Sequence, residues 1–389
     1  MVKSKRVGLI TNPSGIDRHR RSLIDLFIQN PLIDLVALYG PEHGIRGKAQ
    51  AGEFIPYLTD KTYGLPVYSL YGQSQKPGPE WNGRIDERMR SFDTVQTGKL
   101  LEPAMIEDVD VIIYDIQDVG TRIYTYIATM AYCMQACAEA GLEFIVLDRP
   151  NPINGKDMEG PILDYPRYSS FVGLYPIPIR HAMTSGELAR MFNEKYLMKR
   201  TNLTVIPMQG WARNMWFDET GLPWISPSPN MPTLKTATIY PGQVFLEGTN
   251  ISEGRGTDTP FELFGAPWID GLELTKSLNG LHLPGVRFEP AAFTPVFSKY
   301  RGELCEGSRI QIEDRSVFKP LMTTLYILKA ILEKYAGHFA FHDDYFDKIM
   351  GNSEVRHRLL QGQSISEIVG TYDPQLDQFG ALRKPYLLY

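Results

Sequence analysis

The sequence predicts an α/β fold in which a Rossmann-like parallel sheet is joined to a second, smaller α+β domain. In the first 150 residues, short apolar runs alternate with helical patterns, which is typical of a parallel α/β sheet. The chain has 389 residues, a length that suits two subdomains around a shared cleft. Hydrophobic residues make up 43% of it, enough for a large buried core. We therefore expect the first domain at residues 1–200 and the second at 201–389.

The strands of the first domain are predicted from apolar runs that are bounded by turn residues. These runs are Arg6–Thr11, Ile33–Tyr39, Val67–Leu70, Val109–Tyr114 and Leu142–Leu147. A sixth run, Leu203–Met208, either completes this sheet or begins the second domain.

Three helices are predicted between these strands. Apolar residues at three- and four-residue spacing predict a helix over Arg122–Ala140, and Gly141 is a suitable residue for its end. Thr184 and the glutamate three residues later have the spacing of a capping box, which predicts the start of a helix over Leu188–Leu197. A shorter helix is predicted over Arg21–Gln29.

The second half is predicted to combine long loops with a few strands and helices. Gly, Pro, Ser, Thr and Trp dominate residues 210–267, so we expect long loops there. Strands are predicted at Val286–Glu289 and Arg309–Glu313, and helices at Leu321–Tyr335 and in pieces after Asp343.

Charge and cysteine content exclude several classes of protein. The chain carries 40 Lys and Arg against 45 Asp and Glu, a net charge of −5. Nucleic-acid binding rests on dense positive charge, so we expect no nucleic-acid partner. Cys133 and Cys137 lie four residues apart in a helical pattern, and we expect them to pack in the core. No apolar stretch is long enough for a signal peptide or a membrane span.

Polar residues follow four of the predicted strands at the point where each strand leaves the core. They are Asn12, the turn Gly40–Gly44, the segment Asp115–Asp118 and the pair Asp148–Arg149. In open parallel sheets, ligands bind beyond the carboxyl ends of the strands. One such residue could be a helix cap, but four together predict a site.

Glu42 and His43 lie in the first of these turns, where Pro and Gly fix the backbone. A carboxyl group that is partly desolvated at such an edge is a suitable general acid. Alternatively, Glu42 pairs with Arg46 and only holds the loop. The residues alone favour neither interpretation.

Asp115 and Asp118 precede a predicted helix. Paired carboxylates suit glycoside hydrolysis, in which one protonates the leaving oxygen and another supports the cationic transition state. They equally suit N-capping, in which Asp118 would accept hydrogen bonds from helix amides. Asp148 and Arg149 either serve a ligand or form a buried ion pair that shapes their loop.

The segment Glu247–Thr257 has three glycines within nine residues, which permits the backbone to approach a ligand closely. Glu253 and Arg255 supply charge, and Arg255 could hold a ligand carboxylate through a bidentate contact. The alternative is a purely structural turn. Tryptophans around this segment either stack on sugars or pack in the core; they are Trp211, Trp216, Trp224 and Trp268.

Several familiar motifs are missing from the sequence. No G-x-G-x-x-G follows a strand, so the Rossmann-like pattern does not imply a dinucleotide. There is no H-E-x-x-H, no G-x-S-x-G and no cysteine–histidine metal grouping. A carboxylate-based hydrolase without cofactor or metal is the simplest class left.

Five segments together resemble the NamZ-type exo-β-N-acetylmuramidase family, formerly a domain of unknown function and now a glycoside hydrolase family. The segments are Gly40–Gly47, Tyr114–Tyr126, Leu147–Pro152, Ser228–Pro232 and Glu247–Gly256. The similarity runs in order over nearly the full chain, and several long segments are far more specific than any single motif.

This resemblance implies an exo-acting enzyme that removes N-acetylmuramic acid from the non-reducing end of peptidoglycan fragments, with its active site in a cleft between the two domains. The proposed catalytic glutamate of the family maps onto Glu42, which His43 would orient. Asp115 or Asp118 is then the second group, and its role as base, nucleophile or orienting group stays open. The expected partner is a peptidoglycan-derived saccharide or muropeptide.

The lactyl carboxylate of muramic acid needs a cation, and Arg46, Arg122 and Arg255 are the candidates. Further candidates for substrate binding are Asn12, Asp148, Asn230 and Glu253. Members of the family are commonly exported, so the resemblance implies the periplasm or cell envelope, with the cytoplasm as the alternative.

Two other interpretations belong to different classes of protein. One is a metal-dependent esterase or amidase with Glu42, His43, Asp115 and Asp118 as ligands. The other is a noncatalytic muropeptide-binding protein.

Overall fold

The computed structural model describes residues 2–47, 49, 58–70 and 101–389. Seven strands form the first sheet: β1 (Arg6–Thr11), β2 (Asp34–Gly40), β3 (Leu58–Thr59), β4 (Pro66–Ser69), β5 (Val111–Asp115), β6 (Glu143–Leu147) and β7 (Asn202–Ile206). Their order is β3-β4-β2-β1-β5-β6-β7, with β3 antiparallel to β4 and every other pair parallel. The predicted parallel α/β sheet is confirmed.

The strand β7 decides between two alternatives that the sequence leaves open, namely whether the run Leu203–Met208 completes the first sheet or begins the second domain. β7 pairs in parallel with β6, so this run completes the first sheet rather than beginning the second domain. The sheet therefore extends beyond residue 200, the predicted end of the first domain.

The carboxyl ends of the central strands lie level with one another. Thr11 pairs with Asp115, and Ile10 pairs with both Tyr39 and Tyr114. This register brings the loops that follow β1, β2 and β5 to one edge of the sheet, where ligands bind in folds of this class.

Helices accompany the sheet at α1 (Leu23–Ile28), α2 (Pro103–Ile106), α3 (Tyr126–Ala140) and α4 (Ser185–Lys195). The predicted capping box of α4 is confirmed. Thr184 Oγ1 accepts a hydrogen bond from Glu187 N at 3.2 Å, and the Glu187 side chain accepts one from Thr184 N at 3.0 Å.

The helix α3 begins four residues later than the sequence predicts. Arg122 N donates to Ile179 O at 2.8 Å, and Thr121 forms a β-bridge with Arg180. Because these tertiary contacts hold the segment in an extended form, the helix can begin only after Thr125.

The C-terminal region contains a three-stranded antiparallel sheet in the order β8-β10-β9, formed by β8 (Leu263–Ala266), β9 (Val286–Phe293) and β10 (Cys305–Ile312). Its helices are α5 (Leu234–Gln243), α6 (Gly271–Asn279), α7 (Pro320–Lys334), α8 (Asp343–Met350), α9 (Glu354–Leu360), α10 (Ile365–Gly370) and α11 (Asp373–Arg383). Short 3₁₀ helices occur at Phe217–Thr220, Val244–Gly248 and Lys384–Tyr386. The predicted α+β character of this region is confirmed.

The prediction of loops throughout residues 210–267 is wrong at α5. This helix contains Pro241 and Gly242, two residues that disfavour helices in isolation. It packs so closely on the start of α7 that a Cβ added to Gly242 would lie 2.0 Å from the carbonyl oxygen of Pro320. The tertiary contact requires the glycine and outweighs its low helix propensity.

Replacing Gly242 by alanine is expected to lower the free energy of unfolding by about 1–3 kcal/mol, because the new methyl group overlaps a backbone carbonyl. Urea denaturation measures this. The control is Gly370→Ala at the end of α10, where an added Cβ meets no atom within 4 Å. That change should be neutral or slightly stabilising, and equal losses in the two variants would contradict the packing argument.

The hydrophobic core joins the two regions. Val111 and Ile113 point to one face of the first sheet with Val7 and Leu9. Ile112 points to the other face and belongs to a cluster that includes residues of the C-terminal region, among them Phe245, Leu325 and Phe346. Cys133 and Cys137 are buried in this cluster, as predicted. Within the described ranges, the structure has no helix of sufficient length and apolar character to cross a membrane.

Candidate active site

Asn12, at the end of the first strand, connects three loops. Its Oδ1 accepts a hydrogen bond from Ser14 N at 2.9 Å, and its Nδ2 donates to Tyr126 Oη at 3.2 Å and to Pro227 O at 3.0 Å. Tyr126 Oη also donates to Pro227 O at 2.6 Å. The Nδ2 end of this buried amide therefore holds the segment around Pro227 against the start of α3, and its Oδ1 end orders the loop that follows β1.

Glu42 follows β2 in a turn whose backbone is fixed by two left-handed residues, His43 and Gly44, each with a φ of 71°. Its side chain is half-buried, and Thr125 Oγ1 donates to Glu42 Oε2 at 3.1 Å. Thr125 immediately precedes α3. The turn thus presents a carboxyl group at the predicted edge of the sheet.

His43 and Arg46 make contacts that hold this turn. His43 Nδ1 lies 2.7 Å from Ala49 O and donates to it, and the ring is buried. Arg46 Nη2 donates to Asp60 Oδ2 at 2.6 Å, while its side chain remains 55% exposed. The predicted roles of His43 in orienting Glu42 and of Arg46 in binding a ligand carboxylate stay predictions.

Asp115 is held by a cation. Arg149 Nε donates to its Oδ1 at 2.5 Å, and Arg149 Nη2 donates to its Oδ2 at 2.9 Å. The ion pair predicted between Arg149 and Asp148 is therefore wrong, because the guanidinium reaches across to the neighbouring strand end. Since both carboxylate oxygens of Asp115 are occupied, the residue is poorly suited to proton transfer or nucleophilic attack.

Asp148 joins the end of the chain to α4. Its Oδ2 accepts hydrogen bonds from Thr184 Oγ1 at 2.7 Å and from Tyr389 Oη at 2.8 Å, and its Oδ1 accepts one from Gly186 N at 2.7 Å. Burial raises its pKa to about 6, and the three hydrogen bonds oppose that shift. Both oxygens are used within the protein, so the predicted contact with substrate finds no support in these interactions.

Asp118 is the carboxyl group whose ionisation is most clearly altered by its surroundings. Its Oδ2 accepts a hydrogen bond from Gly120 N at 2.6 Å, whereas its buried Oδ1 has no hydrogen-bond partner in the described part of the chain. Burial raises the pKa of Asp118 to about 7. Its backbone donor is a turn amide, and α3 begins only at Tyr126, so the N-capping interpretation is wrong.

His181 faces Asp118 as a neutral ring. Its Nδ1 accepts a hydrogen bond from Met183 N at 3.2 Å, which assigns the ring proton to Nε2. Nε2 lies 3.8 Å from Asp118 Oδ2. Burial and the charges of Arg383 and Arg122 lower the pKa of His181 to about 3. The imidazole can therefore donate to the Asp118 carboxylate after a small movement of either side chain.

Arg122 has a structural role that the sequence does not suggest. Its guanidinium donates to four backbone carbonyls, those of Pro161, Ile177, Ile349 and Met350, at 2.7–3.0 Å. Burial lowers its pKa to about 9. Because Nη1 and Nη2 are both used to connect the N-terminal loops to the end of α8 and the side chain is buried, we no longer expect Arg122 to bind the lactyl carboxylate.

A row of aromatic rings connects the strand ends to the glycine-rich segment. The Tyr126 and Tyr124 centroids are 4.8 Å apart, Tyr124 and Tyr240 are 5.9 Å apart, and Tyr240 and Phe261 are 4.9 Å apart. The guanidinium of Arg255 lies 5.0 Å from the centre of the Phe261 ring. The row therefore begins beside Glu42, whose backbone oxygen is 3.4 Å from Tyr126 Oη, and ends at Arg255.

The buried Tyr240 lies near charged groups from both the N-terminal strand ends and the glycine-rich segment. Burial raises the pKa of Tyr240 well above its usual value, and the carboxylates of Glu247, Glu42 and Asp118 raise it further, whereas Arg255 lowers it. The Tyr240 phenol thus lies near charges from the turn after β2, from the loop after β5 and from the glycine-rich segment. That these segments together form one saccharide pocket stays a prediction.

Arg255 is held by two carboxylates. Its Nε and Nη2 donate to Glu247 Oε1 at 3.0 and 2.6 Å, and its Nε lies 3.6 Å from Glu253 Oε1. No hydrogen bond from its Nη1 is found among the described residues. Burial opposes ionisation, but Glu247 and Glu253 raise the pKa of Arg255, so the guanidinium is a fixed cation.

Glu253 is buried and forms an ion pair with Lys299, which is not predicted from the sequence as a site residue. Lys299 Nζ donates to Glu253 Oε2 at 2.9 Å, and also to the carbonyls of Leu246 and Ile251 at 2.6 and 2.8 Å. Glu253 therefore orders the glycine-rich segment rather than offering a free carboxylate.

Glu247, Tyr240, Tyr345 and Lys299 were not predicted as site residues. Tyr345 Oη donates to Glu247 Oε2 at 3.2 Å, which fixes the second oxygen of the carboxylate that holds Arg255. Only Glu247 had a signal in the sequence, as the first residue of the glycine-rich segment.

The segment around Asn230 lies against the strand ends through Pro227. Asn230 is buried, and in the described part of the chain no hydrogen bond involves its side chain, so it stays a candidate for substrate binding. The tryptophans pack instead against protein groups: Trp211 on Tyr389, Trp216 on Arg180 and Arg315, Trp224 on Phe217, and Trp268 on His338.

Among the residues that the structure describes, no three His, Cys, Asp or Glu side chains are grouped so that they could hold a metal ion.

Comparison with known proteins identifies the family. The family model for the N-terminal part of the exo-beta-N-acetylmuramidase NamZ matches residues 7–95 and 87–235, and the model for its C-terminal part matches residues 238–389. The chain is 49% identical over 389 residues to the peptidoglycan beta-N-acetylmuramidase NamZ of Bacillus subtilis (strain 168), covering 100% of this chain and 88% of the relative. The chain belongs to the NamZ family.

Two solved structures share the NamZ fold. Both are DUF1343 family proteins from Bacteroides fragilis NCTC 9343, and each match covers 100% of this chain and 95% of the other. One has a TM-score of 0.86 at 39% identity, and the other a TM-score of 0.75 at 31% identity.

The two NamZ segments meet between residues 235 and 238, within α5. Glu42 and Asp118 therefore come from the N-terminal segment, whereas Tyr240 and Arg255 come from the C-terminal one. The aromatic row crosses this boundary, because Tyr124 of the N-terminal segment packs on Tyr240 of the C-terminal one.

Proposed function

We propose that this protein is an exo-acting glycoside hydrolase that releases N-acetylmuramic acid from the non-reducing end of peptidoglycan fragments. Membership of the NamZ family supports the activity. The observation that carries the proposal is the aromatic row from Tyr126 to Phe261, which runs from the backbone oxygen of Glu42 to the guanidinium of Arg255 and supports a single site with both residues.

Glu42 is the proposed general acid. Its half-buried carboxyl group lies at the strand edge, where Thr125 Oγ1 donates a hydrogen bond to Oε2. The left-handed turn at His43 and Gly44 fixes its backbone. A proton donor in a glycosidase must be held rigidly beside the glycosidic oxygen, and this turn provides that rigidity.

Asp118 is the proposed second carboxyl group, in preference to Asp115. Arg149 occupies both oxygens of Asp115, while Asp118 keeps one oxygen without a partner in the described residues. A base, a nucleophile or a group that orients the acetamido side chain of the substrate needs an oxygen that is free to act. His181 would stabilise the ionised form through its Nε2 proton.

Arg255 is the proposed partner of the lactyl carboxylate, which distinguishes muramic acid from N-acetylglucosamine. Glu247 and Phe261 hold the guanidinium in place, and Nη1 keeps its donors for a ligand. A charge-assisted contact of this kind stabilises the bound sugar by about 1.5–3 kcal/mol.

Arg255→Ala is therefore expected to lower kcat/KM for a chromogenic N-acetylmuramic acid glycoside by about 10- to 100-fold. Activity on the matching N-acetylglucosamine glycoside, which lacks the carboxylate, should change far less. Arg315→Ala, which removes a partly exposed arginine paired with Asp218, is the control and should leave both rates unchanged. An unchanged ratio of the two substrates in Arg255→Ala would reject the contact.

Proton NMR of the first sugar released from a defined peptidoglycan fragment tests the function itself. We expect N-acetylmuramic acid as the first product, from the non-reducing end, and the first anomer observed reports the stereochemistry. The same reaction after exhaustive chelation should proceed at the same rate, whereas a metal-dependent esterase or amidase would stop. Calorimetric binding without any released sugar would favour a noncatalytic binder.

A further inference from the structure

A cavity of about 940 Å³ lies outside the proposed active site, between the loop at residues 161–168 and the C-terminal helices α9 and α11. Its lining includes Tyr165 and Tyr196 on one side and Gln375 and Gln378 on the other. The volume falls within the range of about 300–1,000 Å³ that is common for ligand sites. No residue of the strand-end loops or of the glycine-rich segment contributes to it.

The first wall of the cavity is aromatic. Tyr165 is 49% exposed, and its ring is therefore available to a ligand. Tyr196 is stacked on Tyr175 with centroids 4.7 Å apart, so its orientation is fixed. Burial and the neighbouring Tyr165 phenol raise the pKa of Tyr196, which places the two tyrosines near each other. Flat, fixed aromatic faces of this kind pack against the C–H surfaces of sugars.

The opposite wall carries amide groups on one face of a helix. Gln375, Gln378, Phe379 and Leu382 are spaced at i, i+3, i+4 and i+7 along α11, so they share one face, and all four line the cavity. Within the described ranges, neither glutamine side chain forms a hydrogen bond. Amides next to apolar groups can pair with sugar hydroxyls while the apolar groups pack on the ring.

The amide groups continue across the floor. Asn352 uses its Oδ1 to accept a hydrogen bond from Val355 N at 3.2 Å, which leaves its NH₂ group facing the same cavity lining. Tyr372 also contributes to the lining, but its hydroxyl is buried and is not exposed to the cavity. The floor therefore offers the amide NH₂ group of Asn352 to a ligand.

The charges of the residues that line the cavity favour an uncharged ligand over an anionic one. Asp164 and Glu354 supply two carboxylates, of which Glu354 is paired with Arg358, and Arg167 is the cation among the lining residues. Arg167 lies 5.3 Å from the Tyr168 ring centre, beside the aromatic wall. The lining thus has no excess of positive charge to bind a phosphate or the carboxylates of a stem peptide, whereas an uncharged sugar needs none.

We propose that this cavity is a second saccharide site, which binds an uncharged glycan of the N-acetylglucosamine type and takes no part in hydrolysis. The identity of the sugar rests on the proposed function, because N-acetylglucosamine alternates with muramic acid in peptidoglycan. A site of this kind would hold a neighbouring glycan strand while the terminal muramic acid occupies the cleft near Glu42.

Isothermal titration calorimetry with chitotetraose tests the proposal on the intact protein. We expect binding to the wild type, and binding about 3- to 10-fold weaker in Tyr165→Ala because a stacking face is lost. Gln378→Ala should weaken it similarly by removing a hydrogen bond. Both variants should cleave a small chromogenic muramic acid glycoside at the wild-type rate. Gln361→Ala, at an exposed glutamine outside the cavity, is the control and should bind normally.

Three outcomes would overturn the proposal. They are no binding of chitotetraose at millimolar concentrations, binding that is equal in wild type, Tyr165→Ala and Gln378→Ala, and preferential binding of a free stem peptide that depends on Tyr165. The proposed hydrolase activity is judged separately, because chitotetraose binding and its loss in the two variants are measured without any cleavage.

Discussion

Glu42→Gln is expected to lower kcat on a chromogenic N-acetylmuramic acid glycoside by at least about 10³-fold, because the amide cannot protonate the leaving oxygen. Glutamine keeps the size of the side chain and can still accept the hydrogen bond from Thr125 Oγ1. The fold and the KM should therefore change little. Steady-state kinetics together with thermal unfolding separate loss of chemistry from loss of structure.

The matched control for this variant is Glu107→Gln, which makes the same change at an exposed position away from the site. It should have wild-type kinetics. A substrate with a good leaving group, such as a dinitrophenyl glycoside, needs less protonation and should recover part of the activity of Glu42→Gln. Full activity of Glu42→Gln on the ordinary substrate would remove Glu42 from the mechanism.

Asp118→Asn is expected to lower kcat/KM by about 10²- to 10³-fold and to change its dependence on pH. A carboxyl group that acts as base, nucleophile or orienting acceptor works in its ionised form. Burial raises the pKa of Asp118 to about 7, so kcat/KM of the wild type should rise with pH through about 7. This acidic limb should be absent from the residual activity of Asp118→Asn.

We also expect Asp118→Asn to change how the free energy of unfolding depends on pH. The pKa of Asp118 is raised from 3.8 to about 7 on folding, so the protonated acid is favoured in the native state. Its contribution to stability is complete below about pH 4 and is lost as the pH rises to about 7. Relative to Asp118→Asn, the wild type should therefore lose up to about 4 kcal/mol across this interval. Urea denaturation at several pH values measures the difference.

Asp115→Asn provides the contrast within the same loop. It leaves the partly buried guanidinium of Arg149 without its carboxylate, so it should destabilise the protein. The limb near pH 7 should persist in whatever activity remains. Loss of that limb in Asp115→Asn but not in Asp118→Asn would reverse our assignment of the second carboxyl group.

Residues near the strand ends were found from the sequence because the position of a strand end is a local property. Short apolar runs mark each strand, and polar residues at their carboxyl ends must meet at one edge if the sheet is parallel. Glu42, Asp118 and Asn12 were identified in this way. The capping box at Thr184 was equally predictable, since its two hydrogen bonds join residues three positions apart.

The roles within that set depended on partners far away in the sequence. Arg149 forms an ion pair with Asp115 rather than with its chain neighbour Asp148. Asp148 instead accepts hydrogen bonds from Thr184 and from the terminal Tyr389. Arg122 was predicted to bind substrate because it stands beside the acidic segment, yet the carbonyls of Ile349 and Met350 hold it. Spacing along the chain carries no information about such choices.

The sequence by itself determined the parallel sheet and the edge at which its loops gather, because apolar periodicity and the polar residues at strand ends are properties of consecutive residues. The family was indicated separately, by the resemblance of five long segments. Only the tertiary structure decided that Asp118 rather than Asp115 keeps an oxygen without a hydrogen-bond partner among the described residues, that α5 forms despite Pro241 and Gly242, and that Tyr240 and Lys299 lie beside the predicted site residues. Burial, ion pairing and close helix contact depend on residues that are distant in the sequence. These residues become neighbours only when the two halves of the chain fold onto one core.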